Sequence, residues 1–202
     1  MGRLWVVGFM IFVLWKLTSG SDEVTFEPGV KAPESPIQQV IKQAKPFKFK
    51  EHKITPLADF KLQAKVLAKE NYHLGQASEL SPVDLALGWG KMSDQKVIDQ
   101  IGFSQSGRWY RWSVKAFPIP RREIETQSAN MHMVPSEDWI ANKLDSVKKG
   151  QVVALKGFLV RVDAEDSQWH WQSSLTREDT GDGACELIYL TDFQIIEESP
   201  LD

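Results

Sequence analysis

QVVALKGFLVRV, residues 151–162, is the stretch of this chain that decides the fold. Apolar and β-branched side chains dominate it, and Gly157 interrupts it near the middle. This composition predicts a β-strand that bends at the glycine. Three further β-prone stretches follow at residues 169–174, 184–190 and 193–196, so we expect the C-terminal third of the chain to form a sheet.

Upstream of this sheet, strand and helix signals alternate along the chain. Residues 59–67 alternate in part between polar and apolar side chains and residues 108–114 are aromatic, so we predict two strands there. Two short helices are predicted between them, at 81–88 and 94–101, because a serine suits each start and a glycine suits each end. A third helix is predicted at 136–150, where apolar residues recur on one face.

Several strands and about three short helices predict the α+β class, built on a curved antiparallel sheet or a small barrel. An oligonucleotide/oligosaccharide-type barrel is one version of this architecture, and strand count alone does not establish it. We expect a single domain over residues 54–198, preceded by an N-terminal transmembrane helix.

The N-terminal twenty residues contain the most apolar segment of the chain, LWVVGFMIFVLW at residues 4–15. Its length suits a signal-peptide core, and the small residues up to Gly20 extend it to the span of a thin bilayer. The cleavage signal is poor, which favours an uncleaved signal anchor over residues 1–20 and leaves a cleaved signal peptide as the alternative. Arg3 favours a cytoplasmic N-terminus and a domain outside the cytoplasm, in the periplasm at the inner membrane.

Residues 21–53 carry four prolines, five lysines near their end and few large apolar side chains. This composition predicts a flexible tether between the anchor and the domain, with a short helix near residues 37–45. The lysines are interpreted as a solvated linker, with contact to anionic lipid as the alternative.

Charge and cysteine content argue against a nucleic-acid-binding protein and against a protein stabilised by an intramolecular disulfide. The formal net charge is −3, and the part after the anchor is more acidic still because Arg3 and Lys16 lie in the anchor. This acidity argues against nucleic-acid binding, which requires a basic face. Cys185 is the only cysteine, so the chain forms no intramolecular disulfide.

The segment 173–186 has the densest collection of reactive side chains and allows several interpretations. Cys185 is a candidate nucleophile if His132 serves as its base. Asp179 and Asp182, with two glutamates, are oxygen donors that Ca²⁺ would accept, although their spacing is not that of a helix-loop-helix calcium site. The triplet at residues 179–181 matches an aspartic-protease signature without its hydrophobic context. A polar turn beside a buried thiol is the favoured interpretation, and it leaves a recognition surface for Arg177, Asp179 and Asp182.

Two other segments supply candidate binding residues. Asn130 and His132 are two residues apart, so a strand would place both on one face. In residues 107–112 cations alternate with aromatic side chains, which suits stacking on sugar rings or bases, and Arg108 is the candidate there. One face of that strand is expected to be core. Neither segment predicts a metal site or a cofactor.

Three segments of the chain resemble those of a family of short, uncharacterised, membrane-anchored bacterial proteins. The segments are DLALGWGKMSD at 84–94, SANMHMVP at 128–135 and WHWQSSLTREDTGDGACE at 169–186. The resemblance covers residues 54–196 and the N-terminal segment. It implies a membrane anchor and a bacterial source, and it carries no activity and no catalytic residue.

Two hypotheses about function follow from the sequence. The favoured one is a membrane-tethered, non-catalytic binding or assembly module of the bacterial cell envelope, with a protein or a glycan as partner and no nucleic acid. The alternative is a small envelope hydrolase that uses Cys185 or a loop serine as nucleophile and His132 as base.

Overall fold

A computed structural model describes residues 23–166, 168–179 and 185–196. Ten strands are present in this part of the chain: β1 Ile37–Val40, β2 Phe47–Phe49, β3 His52–Asn71, β4 Val83–Gly88, β5 Ile101–Ser106, β6 Trp109–Val114, β7 Ser128–Pro135, β8 Val152–Ala164, β9 His170–Gln172 and β10 Glu186–Ile196. Four short α-helices accompany them: α1 Gln76–Leu80, α2 Gln95–Ile98, α3 Arg121–Thr126 and α4 Asp138–Ser146.

Five strands close into a small barrel in the order β3-β4-β7-β10-β8 and back to β3. The β7–β10 pair is parallel and the other four pairs are antiparallel. Strand β3 is 20 residues long and pairs with β8 along one edge and with β4 and β1 along the other. The order is that of an oligonucleotide/oligosaccharide-binding barrel, with β4 and β7 as its second and third strands.

The interior of the barrel is filled by alternate side chains of all five strands, among them Phe60, Leu85, Met131, Leu155 and Ile188. Two further apolar clusters lie outside it. One is covered by β2 and β9 and contains Trp169 and Trp171. The other is covered by the β5–β6 hairpin, which is inserted in the chain between β4 and β7.

The predicted fold class is wrong for the described residues. Of these residues 49% are in strands and 17% in helices, so the domain is β-rich and its helices are peripheral and short. No helix in the described ranges is long and apolar enough to cross a membrane. The predicted α+β class with a transmembrane helix is corrected accordingly to a β-rich domain. Residues 1–20, predicted as a signal anchor, lie outside the described residues.

Local predictions fail where packing overrides turn signals. Residues 81–88, predicted as a helix, instead contain strand β4, because all six residues of that strand are buried between β3 and β7. Residues 37–40, in the predicted tether, form β1 and pair with β3. The two predicted strands at 184–190 and 193–196 are one strand, β10, with an irregularity near Thr191.

Gly157 lies in β8 opposite Leu190 of β10. A Cβ atom at this position would collide with the backbone carbonyl oxygen of Tyr189. Only glycine therefore allows β8 and β10 to approach this closely and the barrel to close here.

Candidate functional site

The tip of the β5–β6 hairpin holds an arginine in an unusual conformation. Gly107 and Arg108 both have positive φ, at 58° and 71°, as in the two-residue turns that best suit a hairpin. Glycine or asparagine normally occupies the second position, because a longer side chain is strained there. The side chain of Arg108 must therefore find compensating contacts.

Those contacts define a partly buried group that we name the Arg108 cluster, made of Arg108, Tyr72, Asp84, His132 and Trp171. Nη1 of Arg108 lies 2.6 Å from Oδ1 of Asp84, whose side chain is fully buried. Tyr72 accepts a hydrogen bond from the Arg108 backbone N–H, and its ring lies 3.7 Å below the guanidinium carbon. The hairpin tip is thereby fixed to the face of β4.

The register of β4 and β7 places His132 directly opposite Asp84. Nδ1 of His132 lies 2.9 Å from Oδ2 of Asp84, an ion-pair distance, but the two atoms lack the alignment of a hydrogen bond. The ring of Trp171 lies 4.6 Å from the imidazole and covers it. His132 is only 3% exposed, so it belongs to the inside of the cluster and not to an accessible surface.

A cleft of about 250 Å³ opens beside this cluster, between the hairpin, the start of β7 and the loop that leads into β10. We name it the Trp109 cleft. Its lining comprises three aromatic side chains, five carboxyl, guanidinium or amide groups, and three small residues: Trp109, Tyr110, Trp112; Glu125, Asn130, Arg177, Asp179, Glu186; Ser128, Ala129, Cys185. The cleft thus combines an aromatic wall with a polar one, as ligand sites do.

The polar wall is centred on a buried ion pair. Glu186 begins β10 on the same face as Ile188 and Leu190, which belong to the barrel core, and only 1% of its surface is exposed. Nε of Arg177 lies 2.6 Å from its Oε1 atom, while Oε2 is buried without a hydrogen-bond partner. Burial raises the pKa of Glu186 to about 8, although Arg177 acts in the opposite direction.

Residues 174–179, which border the cleft, are held by hydrogen bonds among themselves and by one hydrogen bond to β1. Oγ of Ser174 donates a hydrogen bond of 2.6 Å to Oδ2 of Asp179 and accepts one from the backbone N–H of Thr176. Oε1 of Gln38, on β1, lies 3.3 Å from Nη1 of Arg177 and accepts a hydrogen bond from it. The carboxylate of Asp179 and the guanidinium of Arg177 are therefore fixed at the cleft before any ligand arrives.

Cys185 lies in the cleft wall in a setting that keeps it protonated. Burial raises the pKa of its thiol to about 11. Sγ lies 3.8 Å from the Asn130 amide nitrogen and 3.9 Å from the carbonyl oxygen of Arg108. An activated nucleophile needs a lowered pKa and an adjacent base. The predicted base, His132, contacts Asp84 instead. Ser174 contacts a carboxylate, not an imidazole.

The structure brings four of the predicted site residues into one cleft: Asn130, Arg177, Asp179 and Cys185. Arg108 and His132 lie beside it in the Arg108 cluster, and the Asn130 amide connects the cleft to the cluster by donating a 3.0 Å hydrogen bond to the Arg108 carbonyl oxygen. Asp182 lies outside the described residues. Within the described ranges, no group of three or more His, Cys, Asp or Glu side chains could hold a metal ion.

Three members of this region are not among the candidate binding residues: Asp84 carries no site prediction, Glu186 is considered only as a Ca²⁺ ligand, and Trp109 belongs to the stacking segment 107–112 without being selected. Glu186 and Asp84 each stand in an apolar strand sequence, ELIYL and VDLALG, and a charged residue in such a run is the signal that could have marked them. Trp109 could have been singled out as the outward aromatic residue beside the hairpin turn. It is 39% exposed, whereas Tyr110 packs inward.

Searches of known protein families, curated proteins and solved structures find no match to this chain. The function must therefore be argued from the side chains of the Trp109 cleft and their surroundings.

Proposed function

We propose that this protein is a non-catalytic binding module that takes a saccharide in the Trp109 cleft. The observation that carries the proposal is the pairing of a half-exposed indole, Trp109, with fixed hydrogen-bonding groups on Asn130, Arg177 and Asp179 across one cleft. A sugar ring has an apolar face of C–H groups and a rim of hydroxyl groups. The first suits the electron-rich face of an indole, and the second suits amide, guanidinium and carboxylate partners.

The position of the cleft in the barrel supports the same proposal by analogy. Barrels of this strand order bind oligosaccharides or oligonucleotides on their second and third strands and the adjoining loops. The Trp109 cleft lies at the start of β7, the third barrel strand, beside the loop between β8 and β10. Of the two ligand classes, charge favours the saccharide, because the chain is acidic and Glu125 and Asp179 line the cleft.

The chemistry of the side chains favours binding over catalysis. The Cys185 thiol is held protonated by burial, and the hydroxyl of Ser174 donates to Asp179. The hydrolase hypothesis needs one of these nucleophiles in contact with the His132 imidazole, and His132 instead contacts Asp84. A fixed ion pair and the hydrogen-bonded residues 174–179 instead suit recognition, where groups held in place before binding reduce the entropic cost.

The proposal is tested by titrating the protein with a panel of neutral and amino oligosaccharides and measuring affinity by calorimetry. We expect at least one to bind with a Kd below about 1 mM, as weak but specific ligands do. Trp109→Ala should weaken this binding by at least roughly tenfold, because a stacking partner is lost. Trp139→Ala is the matched control, since Trp139 is 44% exposed on α4 and does not line the cleft.

Failure of every oligosaccharide to bind would overturn the proposal. Equal loss of affinity in Trp109→Ala and Trp139→Ala would place the ligand elsewhere and would overturn the assignment of the cleft.

A further inference from the structure

The floor of the Trp109 cleft carries a carboxyl group that is only half engaged. Oε1 of Glu186 contacts Arg177 at 2.6 Å, and Oε2 is buried with no hydrogen-bond partner among the described residues. Buried polar atoms are paired in nearly all native structures, and an exception calls for an explanation. A ligand that donates a hydrogen bond to Oε2 is the explanation that its place in the cleft offers.

The charges around Glu186 determine which kind of donor fits best. Arg177 is the cation that contacts it, and the carboxyl groups of Asp179 and Glu125 face the same cleft from the loop and from α3. Cys185, the adjacent residue, is a neutral thiol. Arg121, on α3, already pairs with Glu125 of the same helix at 2.8 Å, so its positive charge is balanced there. The cleft therefore holds more negative than positive charge once Glu186 ionises.

On the basis of the proposed saccharide binding, we infer that the ligand is an amino sugar whose primary ammonium group donates a hydrogen bond to Oε2 of Glu186. The ammonium would supply the positive charge that the cleft lacks and the donor that Oε2 lacks. A hydroxyl group could supply only the donor. Glu186 is then the residue that determines specificity, while Trp109 supplies affinity for any sugar ring.

The number of protons released on binding is a measurable consequence of this inference. In the free protein burial holds the pKa of Glu186 at about 8, so the carboxyl is neutral in mildly acidic solution. A bound ammonium favours the carboxylate form, because opposite charges in a buried site stabilise each other. Binding therefore releases one proton from Glu186 to solvent, and the ammonium keeps all of its own protons.

The experiment compares a tetramer of glucosamine with the same tetramer fully N-acetylated, at about pH 6, where the sugar amine is protonated. Calorimetry in two buffers that differ in ionisation enthalpy counts the protons released. We expect the amino tetramer to bind roughly tenfold or more tightly than the acetylated one, the effect of a charge-assisted hydrogen bond. We also expect release of about one proton with the amino tetramer and none with the acetylated one.

Glu186→Gln should remove both the preference and the proton release, because the amide keeps the shape and hydrogen-bonding oxygen of the neutral acid but does not ionise. Glu165→Gln is the control, since Glu165 pairs with Lys48 on another part of the surface. Proton release is measured on the unaltered protein, so the test does not depend on the variant folding.

Equal affinity for the two tetramers, or a preference that survives in Glu186→Gln, would overturn the inference and leave saccharide binding intact. Absence of proton release would overturn it as well. If no sugar of the panel binds, the proposed function fails first, and this inference fails with it.

Discussion

At the scale of single residues, Glu186 is a carboxyl group whose ionisation opposes folding. Its pKa is raised from 4.5 to about 8 by burial, so the native state holds its proton more tightly than the unfolded chain does. The stabilisation that results is complete below the unfolded pKa and is lost as the pH rises through the folded pKa. Between about pH 5 and pH 8 the free energy of unfolding should therefore fall, by at most about 1.4 kcal/mol per pH unit from this group.

Glu186→Gln should flatten this part of the pH dependence, because a glutamine does not ionise. Urea unfolding at several pH values measures the effect, with Glu165→Gln as the exposed control. A slope that is unchanged in Glu186→Gln would mean that Glu186 is already ionised in the native protein.

Cys185 allows a second prediction at the same scale. A pKa near 11, against an ordinary value of 9.0, leaves roughly a hundredfold less thiolate at neutral pH. Alkylation by iodoacetamide at about pH 7.5 should therefore be at least roughly a hundredfold slower in the native protein than in urea. Mass spectrometry of the single cysteine follows the rate. Rapid native alkylation would revive the hydrolase hypothesis, because it would show an activated thiolate.

At the scale of elements, the β5–β6 hairpin depends on one ion pair for its position. Arg108→Gly relieves the strain of a positive φ, yet it leaves the Asp84 carboxylate buried without its cation. Breaking a buried pair outweighs the turn strain, so we expect a loss of about 2 kcal/mol in the free energy of unfolding. Chemical denaturation measures it, and Asp84→Asn in the same background should recover part of the loss.

Arg111→Ala is the matched control for the hairpin, because Arg111 is exposed and its guanidinium donates a long hydrogen bond of 3.4 Å to the Ser106 hydroxyl. It should change stability by less than about 0.5 kcal/mol. If Arg108→Gly instead stabilises the protein, the turn strain exceeds the value of the ion pair and the hairpin is held by apolar packing alone.

The elements also show which parts of the structure could be predicted from the sequence. Helix α4 and strands β6 and β8 lie where their patterns predict them, because each pattern is local. Strand β4 could not be found in this way, since the Ser81-Pro82 signal is local while burial between two other strands is not.

The candidate site also has one part that a local sequence pattern predicts and another that only folding brings together. A period of two places Asn130 and His132 on one face of β7, and both side chains are indeed buried together with neighbours from the hairpin and β4. The meeting of Arg177 with Glu186, and of Arg108 with Asp84, joins residues 9 and 24 positions apart in sequence through loops and a turn. No pattern in the sequence contains that information, because it arises only when the barrel closes.

At the scale of the whole molecule, residues 23–53 are part of the packed domain. The prediction of a tether rested on proline and lysine content, which argues against a helix but not against an extended chain that packs. Ser93 receives hydrogen bonds from the backbone of Lys31 and Ala32, and the ring of Phe26 lies 4.9 Å from the buried Lys65 ammonium. Phe26 itself is only 4% exposed.

This packing predicts that the segment contributes to stability as a core element would. Phe26→Ala should lower the free energy of unfolding by about 3 kcal/mol, the usual cost of removing a buried phenylalanine. Phe117→Ala is the control, because Phe117 is 54% exposed, and it should cost much less. Urea unfolding measures both.

A chain that begins at residue 51 should lose more stability still, since it lacks β1, β2 and Phe26 together. A true tether would leave all of these values unchanged, so equal stability of Phe26→Ala and the unaltered protein would restore the tether interpretation.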